Sequence, residues 1–263
     1  MSTNLGRVAV MNPNEGIVDR TNIGAEADFI SPYEQSTTQE WPIGTKLEIG
    51  TRVWRYALMG AVNSVPGKIY QSQLIQANGD VTDMAVDTPA VGALQMEVTN
   101  GSNTAITEDE FKDGYLHVND DTGEGYAYQI SGNDAIATSA AGTIFLYDSV
   151  QVALVGASTV SLTHPVGYKV IVAPAGITGV MAGVSMAVVT AGSYCWLQTK
   201  GPCAVLGDQG TTTIQGGPVR NSEDDPGGVA LEDGSDNFDM NHVGIALHVN
   251  ADGEYMLVEL QIE

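Results

Sequence analysis

Val243–Ile262 reads VGIALHVNADGEYMLVELQI. Apolar and polar residues alternate on both sides of Asn250-Ala251-Asp252-Gly253. A period of two marks a strand with one covered face, and an Asn/Asp-Gly turn between two such runs marks a hairpin. The segment is therefore expected to be a β-hairpin. Its second strand stops at Glu263 and is expected to pair inside a sheet.

The same texture extends upstream. GALQMEV (92–98), GYLHVND (114–120), GYAYQIS (125–131) and GTIFLYD (142–148) read as short strands. Between them lie the turn-forming clusters NGSN, DDTGEG and SGND. Such spacing predicts an all-β fold, a sandwich or barrel of short antiparallel strands with an extended N-terminal arm. TRVWRYALMG (51–60) sets Val53, Arg55 and Ala57 against Trp54, Tyr56 and Leu58, another half-covered strand. Val150–Leu206 is the most apolar stretch and is expected to hold the core. Residues 107–113, TEDEFKD, fit one helical turn capped by Thr107.

Composition agrees with this reading. Of 263 residues 43 % are hydrophobic but only 6 % aromatic, so Val, Ala, Ile and Leu carry the apolar content, broken by 31 Gly. Small and β-branched residues favour strands over long helices. Residues 1–50 hold Pro13, Pro32 and Pro42 and show little periodicity, as in an arm that gains order by lying on something else or, alternatively, a disordered tail. The β domain is expected over 51–263, divisible into 51–148 and 149–263. The Gly-, Asp- and Asn-rich stretch 207–242 is expected to be an exposed acidic loop.

Charge is distributed unevenly. Residues 1–68 carry six Lys or Arg and seven Asp or Glu, whereas residues 69–263 carry four and 25. The total of −22 argues against phosphate-contacting nucleic-acid binding and attraction to an anionic membrane. Adaptation to salty water would explain the acidity but not the exemption of the first 68 residues. The asymmetry suits an anchoring end and a solvated end, as in a piece of an assembly.

Between Lys169 and Lys200 no residue is charged, yet Pro174, Gly176, Gly179, Gly183 and Gly192 punctuate the run. It reads as two or three short buried strands and not as a membrane-spanning helix. Residues 1–16 contain no apolar run of the kind a secretory signal needs. Cys195 and Cys203 could face each other on a hairpin and form a bridge, but two buried free thiols is the preferred reading.

No catalytic constellation emerges. His117, His164, His242 and His248 have no partner motif, and no GxSxG, HExxH or P-loop is present. A Cys195–His164 pair would need chance proximity, and no enzyme activity is expected. Asn119–Glu124 and Asp233–Asn237 offer oxygen ligands near glycine turns, but neither has EF-hand spacing. Each reads as a solvated turn, and no metal or other cofactor is expected. The best interaction candidate is Arg52, Trp54, Arg55 and Tyr56, with Arg7 and Arg20 upstream. These residue types dominate interface hot spots. The competing reading is a strand whose aromatics pack into the chain's own core.

Three stretches carry a resemblance: TRVWRYALMGAVNSVPGKIYQ (51–71), AVVTAGSYCWLQTKGPCAVL (187–206) and 243–262. They resemble structural proteins of tailed bacteriophages, particularly of marine and cyanobacterial hosts, often read as head decoration (cement) proteins. The resemblance lies in texture and phrase. The 207–242 loop and the long arm depart from shorter decoration proteins. It implies a virion protein made in the host cytoplasm and bound to the outside of the capsid as a homo-oligomer, a trimer before a dimer. The partner would be the major capsid protein, with residues 1–60 as the anchor and no nucleic acid or membrane involved. The alternative is a tail-associated or host-recognition structural protein.

Overall fold

The computed structural model describes residues 31–73, 81–101, 104–176, 178–209, 213–232, 241–249 and 251–263, and the backbone alone of 10–11 and 17–19. Among them every regular element is a strand. The chain divides into two units, residues 1–73 with 166–263 and residues 74–165. In chain order the strands are β1 (Val10–Met11), β2 (Ile17–Asp19), β3 (Lys46–Ile49), β4 (Arg52–Leu58) and β5 (Ile69–Gln71). Next come β6 (Met84–Val86), β7 (Gln95–Thr99), β8 (Tyr115–Asp120), β9 (Ala127–Asn133), β10 (Ala141–Leu146) and β11 (Thr159–Thr163). The last are β12 (Ile171–Val172), β13 (Met181–Ser185), β14 (Tyr194–Leu206), β15 (Pro218–Asn221), β16 (Val229–Leu231), β17 (His242–His248) and β18 (Tyr255–Gln261).

The 74–165 unit is a closed barrel. Its strands run β10-β7-β6-β11-β8-β9, and β9 pairs back onto β10. Alternation places Met96 and Val98, Leu116 and Val118, Tyr128 and Ile130, and Ile144 and Leu146 inside, with their neighbours outside. Closure removes the unpaired edges that an open sheet exposes. The choice between sandwich and barrel is thereby decided for this unit. The TEDEFKD segment makes successive turns and no helix. Glu110 Oε2 accepts the Thr107 N–H at 2.8 Å, half of a capping box. The positive φ of Asp109 (57°) and Asp113 (66°) prevents the helix from propagating.

The other unit is one broad sheet, ordered β1-β2-β3-β4-β14-β18-β17-β15-β16, with β13, β5 and β12 added beside β14. Only β2–β3 pairs in parallel among its named strands. The terminal hairpin forms as its sequence predicts, and β18 lies between β14 and β17, inside the sheet. β14 is the hub. Its first half pairs with β4 and its second with β18, with a register shift between Gln198 and Lys200. Gly201 follows at φ +83°, where a Cβ would lie 2.5 Å from the Thr51 carbonyl oxygen. Gln198, fully buried, donates its amide to the carbonyls of Lys200, Gly201 and Pro202 at 3.0–3.1 Å and so pins the irregular stretch.

The division departs from a cut at residue 148. β11 belongs with the middle of the chain because it completes the barrel against β6 and β8. Residues 51–73 belong with 166–263 because β4 pairs with β14 and β5 with β12 and β13. The apolar run Val150–Leu206 is split accordingly. Val150, Leu154, Val160 and Leu162 fill the barrel, while β13 and β14 line the other unit. Within the expected arm, residues 31–50 are part of the fold. Leu47 is fully buried against Trp54, Tyr56 and Trp196, and β3 pairs with β4. The stretch 207–242 is not a plain loop, since β15 and β16 pair within it and β15 joins β17.

Candidate docking groove

β4 carries four of the six residues singled out by sequence. Trp54 and Tyr56 are buried, at 1 % and 2 % exposure, in a cluster with Leu47 and Trp196. The Tyr56 ring meets Trp196 edge-on at 5.0 Å and stacks on Tyr194 at 5.7 Å. Its hydroxyl accepts the Glu40 N–H at 3.2 Å, and burial pushes its pKa up to about 12. Arg55 donates to the Glu263 carboxylate at 2.8 Å and to the Gly44 carbonyl at 3.0 Å. Three of the four are thus committed to the fold. Arg7 and Arg20 lie outside the described residues.

Arg52 is different. Its guanidinium donates to Gln198 Oε1 at 2.8 Å and lies 4.7 Å over the Trp54 ring. It also approaches Met186 Sδ at 2.8 Å, the sulfur that Trp54 Nε1 reaches at 3.4 Å. Buried Gln198 and Trp54 therefore hold Arg52 in place at the wall of an open groove of about 610 Å³. Tyr33, Pro66, Met186, Tyr255 and Leu257 also line it. Tyr33, Tyr255 and Leu257 are 55 %, 44 % and 40 % exposed, so large apolar side chains face solvent around one cation. Tyr255 is seated on Gly67, where an added Cβ would come within 2.4 Å of its ring. Sequence reading missed Tyr33, Met186, Tyr255 and Leu257, because Tyr255 and Leu257 look like ordinary outward positions of an alternating strand.

Neither thiol is placed for chemistry. Cys195 and Cys203 are free, buried and on the same strand, and burial pushes each up to about 12. A thiol held protonated at neutral pH is a poor nucleophile. His164 stacks on Phe111 at 4.1 Å and lies 3.7 Å from Glu110. Burial opposes ionisation of Glu110, but the nearby His164 imidazole and hydrogen bonds from the Thr107 N–H and hydroxyl outweigh it and hold the carboxyl down to about 2. His242 reaches Glu232 at 3.2 Å on the outer side of its strand. Among the described residues no three His, Cys, Asp or Glu converge as metal ligands. In the 119–124 turn the Asp120 and Asp121 carboxylates accept their own turn N–H groups at 2.9 and 2.6 Å. Residues 233–237 lie outside the described residues.

A buried polar group that sequence reading passed over sits at Asp208. Its carboxylate accepts the Ser222 hydroxyl at 2.5 Å, and Ser222 Oγ in turn accepts the N–H groups of Asp224 and Asp225. Burial, helped by the nearby Asp225, Asp224 and Glu223 charges, raises the Asp208 pKa. Buried Arg220 donates to Glu223 Oε1 at 3.2 Å. The cue was present in Ser222-Glu223-Asp224-Asp225-Pro226, a serine that can cap its own turn. No family model matches the chain, and no curated protein or solved structure matches it.

Proposed function

We propose that this chain is a capsid decoration protein of a tailed bacteriophage. It binds the outer surface of the head and staples capsomers of the major capsid protein, as a homo-oligomer with a trimer before a dimer. The observation that carries the reading is the groove around Arg52. Exposed tyrosines and a leucine beside a preorganised arginine are the residue types that anchor protein interfaces. A partly exposed apolar groove of this size suits an extended apolar segment of a partner chain. The near-neutral first 68 residues, which hold six of the ten Lys and Arg, fold partly into the same unit, through β3, β4 and the Tyr33 wall, which supports this side as the anchor. Symmetry-repeated weak contacts would supply strength through avidity.

The test is co-sedimentation of the purified protein with empty expanded heads, with copy number read by gel densitometry. Saturation at a simple fraction of the capsid subunits is expected. Truncation of residues 1–50 would remove β3 and Leu47, so the groove is challenged by point substitutions. Tyr255→Ser with Leu257→Asp should weaken head binding roughly tenfold or more. Thermal stability should be nearly unchanged, because both side chains are substantially exposed. Wild-type protein that fails to saturate heads, or a double variant that binds like wild type, would overturn the proposal.

A further inference from the structure

The barrel unit carries an aromatic face. Tyr115 on β8 pairs directly with Gln129 on β9, and the Tyr147 N–H donates to the Gln129 carbonyl at 2.9 Å just past β10. These three side chains therefore occupy adjacent outward positions across three neighbouring strands. Phe145, two residues before Tyr147, is paired with Gly132 and points outward too. Tyr115, Tyr147 and Phe145 are 51 %, 51 % and 38 % exposed. Gly132 lets the Asp109 carboxylate approach the face, since Asp109 Oδ1 and Phe145 Cδ2 lie 2.6 and 3.9 Å from where a Cβ would be. Partial burial raises the Tyr147 pKa, and the Asp113 and Asp109 carboxylates beside it add to the effect. The Asp148 carboxylate accepts the Gln129 N–H at 3.2 Å.

Charge selects the occupant. Residues 74–165 carry 13 Asp or Glu and one basic residue, Lys112, a net charge of −12. An aromatic ring face attracts ammonium and guanidinium groups, and carboxylates behind it deepen that attraction. A surface of one sign also gathers oppositely charged partners from a distance. The same charge repels nucleic acid and a second copy of the barrel brought face to face. An apolar peptide would gain nothing from the carboxylates. We propose that the Tyr115–Gln129–Tyr147 face docks a Lys- or Arg-rich polypeptide segment, its cationic side chains lying over the two tyrosine rings. This site is separate from the groove and does not depend on the decoration reading.

Fluorescence anisotropy of the full chain with labelled deca-lysine and deca-arginine tests it, a Gly-Ser peptide of equal length serving as the neutral control. Saturable binding of the cationic peptides, weakened by salt, is expected. Tyr115→Ala with Tyr147→Ala should weaken it roughly tenfold, the equivalent of about 1.4 kcal/mol. Asp120→Asn with Asp121→Asn, at the far end of β8, should change it less than about twofold. Circular dichroism melts verify that each variant is folded. Absence of binding, equal loss in both double variants, or retention of binding in the tyrosine variant would overturn the proposal. Assembly of the protein through this face, detected as a dimer that Tyr147→Ala dissolves, would overturn it as well.

Discussion

The two units assemble their sheets by different routes. The barrel is built from one continuous stretch of chain, and its longest-range pairing, β6 with β11, stays within 74–165. The other unit is assembled from both flanks, with β4 on β14 and β5 on β12 spanning the whole inserted barrel. The barrel is also the more acidic for its size, at −12 against −10 for the much longer remainder. Local closure lets a segment fold and be read on its own terms. Pairing across an insertion costs a larger loop entropy and leaves little trace in local sequence.

Three experiments would break or sharpen that contrast. The largest effect should follow from replacing residues 74–165 by a short Gly-Ser turn. Gln71 pairs with Ile171 and Tyr70 with Val172, so the strands that flank the insertion are already neighbours. Calorimetry of wild type should resolve two transitions, and the replacement should delete one and leave the other. Loss of both would show that the flanking unit needs the barrel to fold.

A smaller effect is expected from Gln198→Ala. It removes three hydrogen bonds to the irregular stretch of β14 and the acceptor for Arg52. The cost should be about 2–4 kcal/mol, confined to the non-barrel transition, because buried carbonyls lose their donor. A barrel transition that moved equally would contradict the independence of the two units.

The smallest effects are the pH responses, which should have opposite signs. The folded Glu110 value of about 2 is below its ordinary 4.5, so it stabilises the barrel above that range. That stability is lost as pH falls from 4.5 towards 2. The Asp208 value is raised, so the folded state there holds the proton more tightly than the unfolded chain. Its unit should be more stable below the ordinary aspartate range and lose that part as pH rises through the folded value. Glu110→Gln and Asp208→Asn, followed by thermal melts across acid pH, should each flatten one of the two profiles.

How much could be read from sequence follows from the same contrast. The hairpin around Asp252-Gly253 and the strands at 114–120, 125–131 and 142–148 were legible because period-two alternation and turn residues are local signals. The unit boundaries were not, since nothing in residues 51–73 announces partners beyond residue 166. β15 and β16 were hidden among Gly, Asp and Pro because each is only three or four residues long. Of the described interface candidates, Trp54 and Tyr56 are core residues and Arg52 alone reaches the groove. An alternating strand gives the spacing of its faces but not which face the rest of the protein covers.

The insertion point also has a mechanical consequence. β5 and β12 are antiparallel neighbours, and the barrel occupies the place of the turn between them. Both of its connections leave from the same end of that short ladder. A force pulling on the barrel would load the ladder's hydrogen bonds one after another, as a zipper opens, and not all at once in shear. The Gly167–Leu58 and Val170–Leu58 hydrogen bonds and the β5–β12 ladder beyond them are then where the chain should yield first under tension, before either core is breached.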